Sequence, residues 1–147
     1  MPVPAPSSPL EALERALYST LNGDATLDAL IGAVAPSYVP GTIDRPIVTF
    51  GLVALPERNN HLGGRACEVF RHRLSAFTEQ SAQGSVDKAV AQKIIARCIA
   101  LLDRQKLTLT SYTCIMSIVE NPFAETITVY GGQAFAGVSL DLVSWIV

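Results

Sequence analysis

A chain of 147 residues suits one domain with one core, and at this size roughly 70% of the surface exposed by the unfolded chain can be buried. The apolar fraction is 49% and the charged fraction only 16%, against about 25% charged in an average soluble protein, so a monomer would leave contiguous apolar surface that marks contacts with other proteins. A net charge of -2 supplies no general attraction for nucleic acid or an anionic membrane, and three cysteines without a CxxC pair suggest neither a disulfide framework nor a zinc site, and suit a reducing cytoplasm.

Residues 1–8 read as a flexible proline-rich arm. Pro2, Pro4 and Pro6 fix the backbone and remove donors, and the absence of a basic residue or an apolar run is unlike a secretory signal. Residues 9–147 read as a single domain. Ser8 is a good N-cap, Pro9 suits the first helical position, and Glu11 stands in capping-box spacing. Leu10, Leu13, Leu17 and Leu21 then form one apolar stripe, and Asn22-Gly23 supplies the stop. Asp24 caps a short turn through Leu27, Leu30 and Ile31. The prolines and glycine of Ala33 to Pro46 make that stretch an irregular connector, whereas Ile47 to Val53 has the β-branched and aromatic content of a strand.

Pro56 to Gly64, with Arg58, Asn59, Asn60 and His61, is expected to be a polar loop, and Ala66 to Phe77 a strand with mixed faces. Phe70, Leu74 and Ala76 fall on one of those faces, and Val69, Arg71, Arg73 and Phe77 on the other. Ser85 and Asp87 open the second long helix, whose wide apolar face runs from Val90 to Leu102. The longest apolar stretch, Ile94 to Leu102, is broken by Arg97 and is too short to cross a membrane.

Leu107 to Leu109 and Tyr112 to Glu120 read as one broken strand or two, followed by a turn at Asn121-Pro122-Phe123 and a hairpin arm, Thr126 to Tyr130. Asn121 to Gly132, like Pro56 to Gly64, is expected to order only on assembly. The alternation from Ala136 to Val147 marks a last strand with one nearly all-apolar face. The element order argues for an α+β fold, a mainly antiparallel sheet with two main helices packed on one face.

Enzyme signatures are absent: there is no GxxxxGK[ST], GxGxxG, HExxH or GxSxG. No cofactor or metal is implied, since His61 lies in a polar stretch and His72 stands between two arginines, which disfavours a cation. Arg71 and Arg73 share a strand face. They fit a solvated surface, a nucleic-acid or ion-pairing surface, or a subunit contact with Asp141 as a partner from the same sheet or a neighbour. Trp145, Phe123, Phe135 and Tyr130 fit either interface anchors or core.

The stretch from Ala16 to Gly32, ALYSTLNGDATLDALIG, resembles the N-terminus of the tail-completion proteins of long-tailed bacteriophages, also called tail terminators or tail-to-head joining proteins. The later order is similar too: Pro46 to Phe50 matches the family's first strand, Glu68 to Thr78 its arginine-bearing strand, Ala89 to Leu102 its sheet-covering helix and Val138 to Val147 its terminal strand. The chain departs from the pattern in its proline-rich arm and at Ala33 to Tyr38, where a short strand often follows the glycine.

The resemblance implies a virion protein, assembled in the host cytoplasm, that forms a ring, usually a hexamer, at the head-proximal end of the tail. It would stop tube growth, contact the tail tube protein and a head-neck connector, and let DNA pass without specific binding. Arg71, Arg73, Asp141 and Trp145 are then candidate subunit contacts, with Arg58, Asn59, Asn60, His61, Phe123 and Tyr130 in assembly loops. The alternative from another class is an oligomeric α+β barrel that holds a small molecule, with His72 and Asp141 in its pocket.

Overall fold

Helix α1 (Pro9–Asn22) begins where its capping chemistry places it: Ser8 Oγ accepts from the Glu11 amide at 3.1 Å, with proline at the first helical position. The Glu11 carboxylate reaches back one residue further than a capping box requires and accepts from the Ser7 amide and hydroxyl. The helix stops at Gly23, which stays right-handed at φ -88°. Glycine is needed there because an added Cβ would lie 2.8 Å from the Ser19 carbonyl oxygen, which accepts from the Gly23 amide. Helix α2 (Ala25–Asp28) is a single turn capped by Asp24, whose Oδ2 accepts from the Leu27 amide at 2.8 Å. The computed structural model describes residues 2–36, 46–54, 57–62, 65–79, 88–130 and 133–147. The expected helix start at Ser85 and Asp87 lies outside those residues.

The strands are β1 (Ala33–Pro36), β2 (Ile47–Leu52), β3 (Glu57–Leu62), β4 (Arg65–Glu79), β5 (Cys114–Tyr130) and β6 (Gln133–Ile146), with helix α3 (Lys88–Leu102) between β4 and β5. The sheet order is β1-β2-β4-β6-β5, and β3 pairs with the first part of β4. Every pairing is antiparallel except β1 with β2. The α+β class and the largely antiparallel sheet follow from that order. Leu13, Leu17 and Leu21 of α1 and Ile94, Ile95, Cys98 and Leu102 of α3 bury themselves against Phe70, Leu74, Val138, Leu140 and Leu142. Both long helices therefore cover one face, because the residues of β4 and β6 that alternate toward it are apolar.

Four expectations change. The connector Ala33 to Pro46 opens with a strand, since β1 pairs with β2 and buries Val34. This is the short strand after the glycine whose absence set the sequence apart. Pro56 to Gly64 was expected to be a loop, yet Glu57–Leu62 is β3, carrying Arg58, Asn59, Asn60 and His61. Backbone pairing does not require apolar side chains, so a polar stretch can still join the sheet. Leu107 to Leu109 is not a strand. Leu107 is buried, and the isolated bridge to the sheet edge lies just before the segment, at Gln105–Ser117. Finally, the expected turn at Asn121-Pro122-Phe123 is a bulge inside one 17-residue strand, which takes in the expected arm Thr126 to Tyr130. The chain absorbs the extra residues with positive φ at Asn121 (45°) and Phe123 (61°) instead of reversing direction.

Candidate functional site

Alternation along β4 and β6 leaves one face of the sheet away from the helices. Val69 pairs with Trp145, Arg71 with Val143 and Arg73 with Asp141 on that face, and β5 extends the three rows with Met116, Ile118 and Glu120. The first row is apolar and partly exposed, with Met116 38% exposed and Trp145 and Val69 half-buried. The third row is ionic.

The structure thus brings Arg71, Arg73, Asp141 and Trp145 onto one surface. Arg73 Nε donates to Asp141 Oδ1 at 2.9 Å and Arg73 Nη2 to Oδ2 at 3.4 Å, while Asn121 Nδ2 donates to Oδ2 at 3.2 Å. Arg71 Nη1 donates to Glu120 Oε2 at 2.5 Å. Asp141 is the buried member, with its side chain 7% exposed against 51% for Arg73. Burial raises its pKa, but the hydrogen bonds from Arg73 and Asn121 outweigh burial and leave it below the ordinary carboxylate value. Of the two partners the sequence left open for Asp141, the same sheet supplies the arginine.

Glu120 and Asn121 were missed as partners. Their signal was parity: Glu120 lies two residues from Ile118 on the same face, but the bulge that brings Asn121 to Asp141 is invisible to a period-two reading. Phe123 sits on that bulge and is 43% exposed. Tyr130 ends β5 opposite Gln133, and on β3 Arg58 stands opposite Glu68 and Asn59 opposite Cys67. Of these assembly candidates, Phe123 adjoins the ionic row through the bulge, whereas the register places Tyr130, Arg58 and Asn59 elsewhere along the sheet.

His72 lies on the other face. It neighbours Leu142, is fully buried, and its Nε2 meets Glu14 Oε1 of α1 at 3.3 Å. A carboxylate only accepts, so Nε2 carries the proton and Nδ1 is the bare nitrogen; Nδ1 has no partner. Burial lowers the His72 pKa, and Glu14 partly offsets that. Because His72 and Asp141 project from opposite faces of the sheet, no single pocket among the described residues of one subunit holds both. The described grooves beside α1 are open: one of about 690 Å³ is lined by Val3, Glu14, Tyr18 and Phe50, among others.

Among the described residues no cluster of three His, Cys, Asp or Glu side chains is placed to hold a metal, and no helix is long and apolar enough to cross a membrane. Cys67, Cys98 and Cys114 are free and buried, and burial pushes the Cys98 thiol up to about 12, which keeps it an unreactive thiol at neutral pH. The open face carries an apolar row, an ionic row and, at its β5 margin, a bulge with an aromatic residue at positive φ.

No protein-family model matches the chain, and no curated protein matches it in sequence. Solved structures do. Twelve chains match in fold, and one, from a structure described as the virion of a native gene transfer agent particle, superposes with a TM-score of 0.70. That alignment covers 95% of this chain and 98% of the other at 20% sequence identity, so what the two share is the fold of the whole domain.

Proposed function

We propose that this protein is a structural component of a phage-type virion and, within that class, a tail-completion protein that works by assembly without catalysis. The carrying observation is the whole-length likeness in fold to a chain of the gene transfer agent virion. The resemblance from Ala16 to Gly32 supports the finer reading. In the fold this stretch is the end of α1, the Asp24-capped turn α2 and the entry to β1. Its register is held by Arg97 of α3, whose Nε and Nη2 donate to Asp24 at 2.9 and 2.6 Å.

On this reading copies of the chain form a closed ring, a hexamer in the family it resembles, at the head-proximal end of the tail tube. The ring ends tube growth and presents its other rim to a neck connector. The low charged fraction and the exposed apolar row at Val69, Trp145 and Met116 suit such contacts. Electron microscopy of the purified chain mixed with terminator-less tail tubes tests it. Rings capping one tube end, with tube length fixed thereafter, are expected. Tubes that keep growing with no bound density would overturn the reading.

A further inference from the structure

The two outer edges of the sheet are not equally guarded. Along β5, the Ser117 amide donates to the Gln105 carbonyl and the Val119 amide to the Asp103 carboxylate, so the first part of that edge is closed. Beyond the bulge, Ala124 to Tyr130 has no strand partner on its outer side among the described residues. This stretch, Ala-Glu-Thr-Ile-Thr-Val-Tyr, contains no proline, no lysine and no arginine, the residues that normally blunt an open edge. The opposite edge is β1, four residues paired, among the described residues, to β2 alone.

These edges end the same rungs. Ala35 pairs with Thr49, Thr49 with Ser75, Ser75 with Ser139, and Ser139 with Ala124. Val34 likewise leads through Val48, Ala76 and Val138 to Glu125, and Ala33 through Ile47, Phe77 and Gly137 to Thr126. The fourth residue, Pro36, leads through Phe50 and Leu74 to Leu140, which faces the bulge and has no partner on β5. β1 and β5 also run in opposite directions.

We infer that β1 of one copy pairs antiparallel with the edge Ala124–Thr126 of a second copy, joining the sheets of neighbouring subunits around the ring. A copy repeated by rotation without shift along the strands meets its neighbour with Ala33, Val34 and Ala35 opposite Thr126, Glu125 and Ala124. Pro36, which has no amide to donate, then falls where the neighbour's strand bulges away. Charge opposes none of this. The β1 residues are uncharged, and Glu125, the single charge facing them, is held by Lys88 at 2.7 Å. A joint of a few rungs is far below the ~1,200 Å² that a stable isolated pair buries, so it holds only when each subunit makes two such contacts in a closed ring. Two different edges meeting head to tail is also the type of contact that closes rings instead of dimers.

This inference rests on the ring reading and is tested by cysteine cross-linking, because the three native cysteines are buried. Facing positions of an antiparallel pair lie about 4.5–5.5 Å apart at Cα, within disulfide reach. Under mild oxidation with tail tubes, the double variant Ala35→Cys with Ala124→Cys is expected to give a covalent ladder up to the closed ring, and each single variant none. Dimers from Ala124→Cys alone would mean that the β5 edge pairs with itself, which overturns the inference. Rings visible by microscopy without cross-links in the double variant would overturn the joint and leave the ring reading standing. A covalent ladder from a protein that ignores tail tubes would keep the joint and sink the tail-completion reading. Neither rings nor cross-links would sink both.

Discussion

His72 is a buried imidazole with one nitrogen on Glu14 and the other without a partner among the described residues, beside a core of apolar side chains. Its folded-state pKa lies below the ordinary 6.5, so the fold prefers the neutral ring. The stability this preference contributes is complete above about pH 6.5 and declines as the pH falls through the window below it, where the unfolded chain takes up the proton first. An NMR titration of the His72 ring should show this lowered value, and Glu14→Gln should lower it further by removing the carboxylate that favours the charged form.

Asp24 behaves in the opposite chemical sense. The hydrogen bond from Arg97 is the main reason its pKa falls to about 2, against an ordinary 3.8. Its stabilising contribution is present above pH 3.8 and is lost as the pH falls through about 2. Asp24→Asn keeps a capping oxygen and removes the charge. The variant should unfold at lower urea than the native chain at pH 7, and the two should converge near pH 2.

At the scale of elements, the ionic row joins β4, β6 and the β5 bulge. Its two partners are unequally exposed, so deleting one is not equivalent to deleting the other. Without Asp141, the half-exposed Arg73 guanidinium turns to water; without Arg73, a buried carboxylate keeps the Asn121 hydrogen bond and the weaker attraction of Arg71. Arg73→Ala should therefore destabilise more than Asp141→Ala, by about 1–3 kcal/mol against a smaller loss, and Asp141→Asn should recover part of it in the Arg73→Ala background. Urea denaturation of the four variants measures this, and equal losses for the two alanine variants would contradict it.

The same row shows what an alternation pattern conveys and what it omits. The faces of β4 were legible because Phe70, Leu74 and Ala76 are separated by even steps, and Arg71 and Arg73 fell on the other face. The bulge was not legible. Asn-Pro-Phe has turn composition, and only the partner strand β6, by pairing Glu120 with Asp141 and then Ala124 with Ser139, keeps the chain extended through it.

For the whole molecule, the charge distribution bears on the proposed role, in which DNA would pass through a tail-end ring. The chain carries -2, and both arginines of the open face have carboxylate partners within the subunit, so neither is left as a free phosphate ligand. Phosphate binding strengthens as salt falls because each neutralised phosphate releases counterions. Purified protein should therefore fail to retard duplex DNA in a gel even at about 50 mM salt. A salt-sensitive shift at that concentration would show a positive lumen and contradict passage without specific binding.

Local chemistry determined α1, its Ser8 cap, the core stripe of α3 and the terminal strand, because each depends on residues close in sequence and on a period of 3.6 or 2. It also put Arg71 with Arg73 on one face of their strand and Asp141 with Trp145 on one face of the last strand, since parity along a strand is local; that the two faces coincide came from the β4–β6 pairing. Tertiary structure decided the rest. Whether a polar stretch pairs, as β3 does, whether Ala33–Pro36 finds a neighbour, and whether Asn-Pro-Phe turns or bulges depend on strands far away in sequence that supply backbone partners. Only the assembled sheet put His72 and Asp141 on opposite faces and brought β1 and the β5 edge to the two ends of the same rungs, because strand order is fixed by pairings between distant segments.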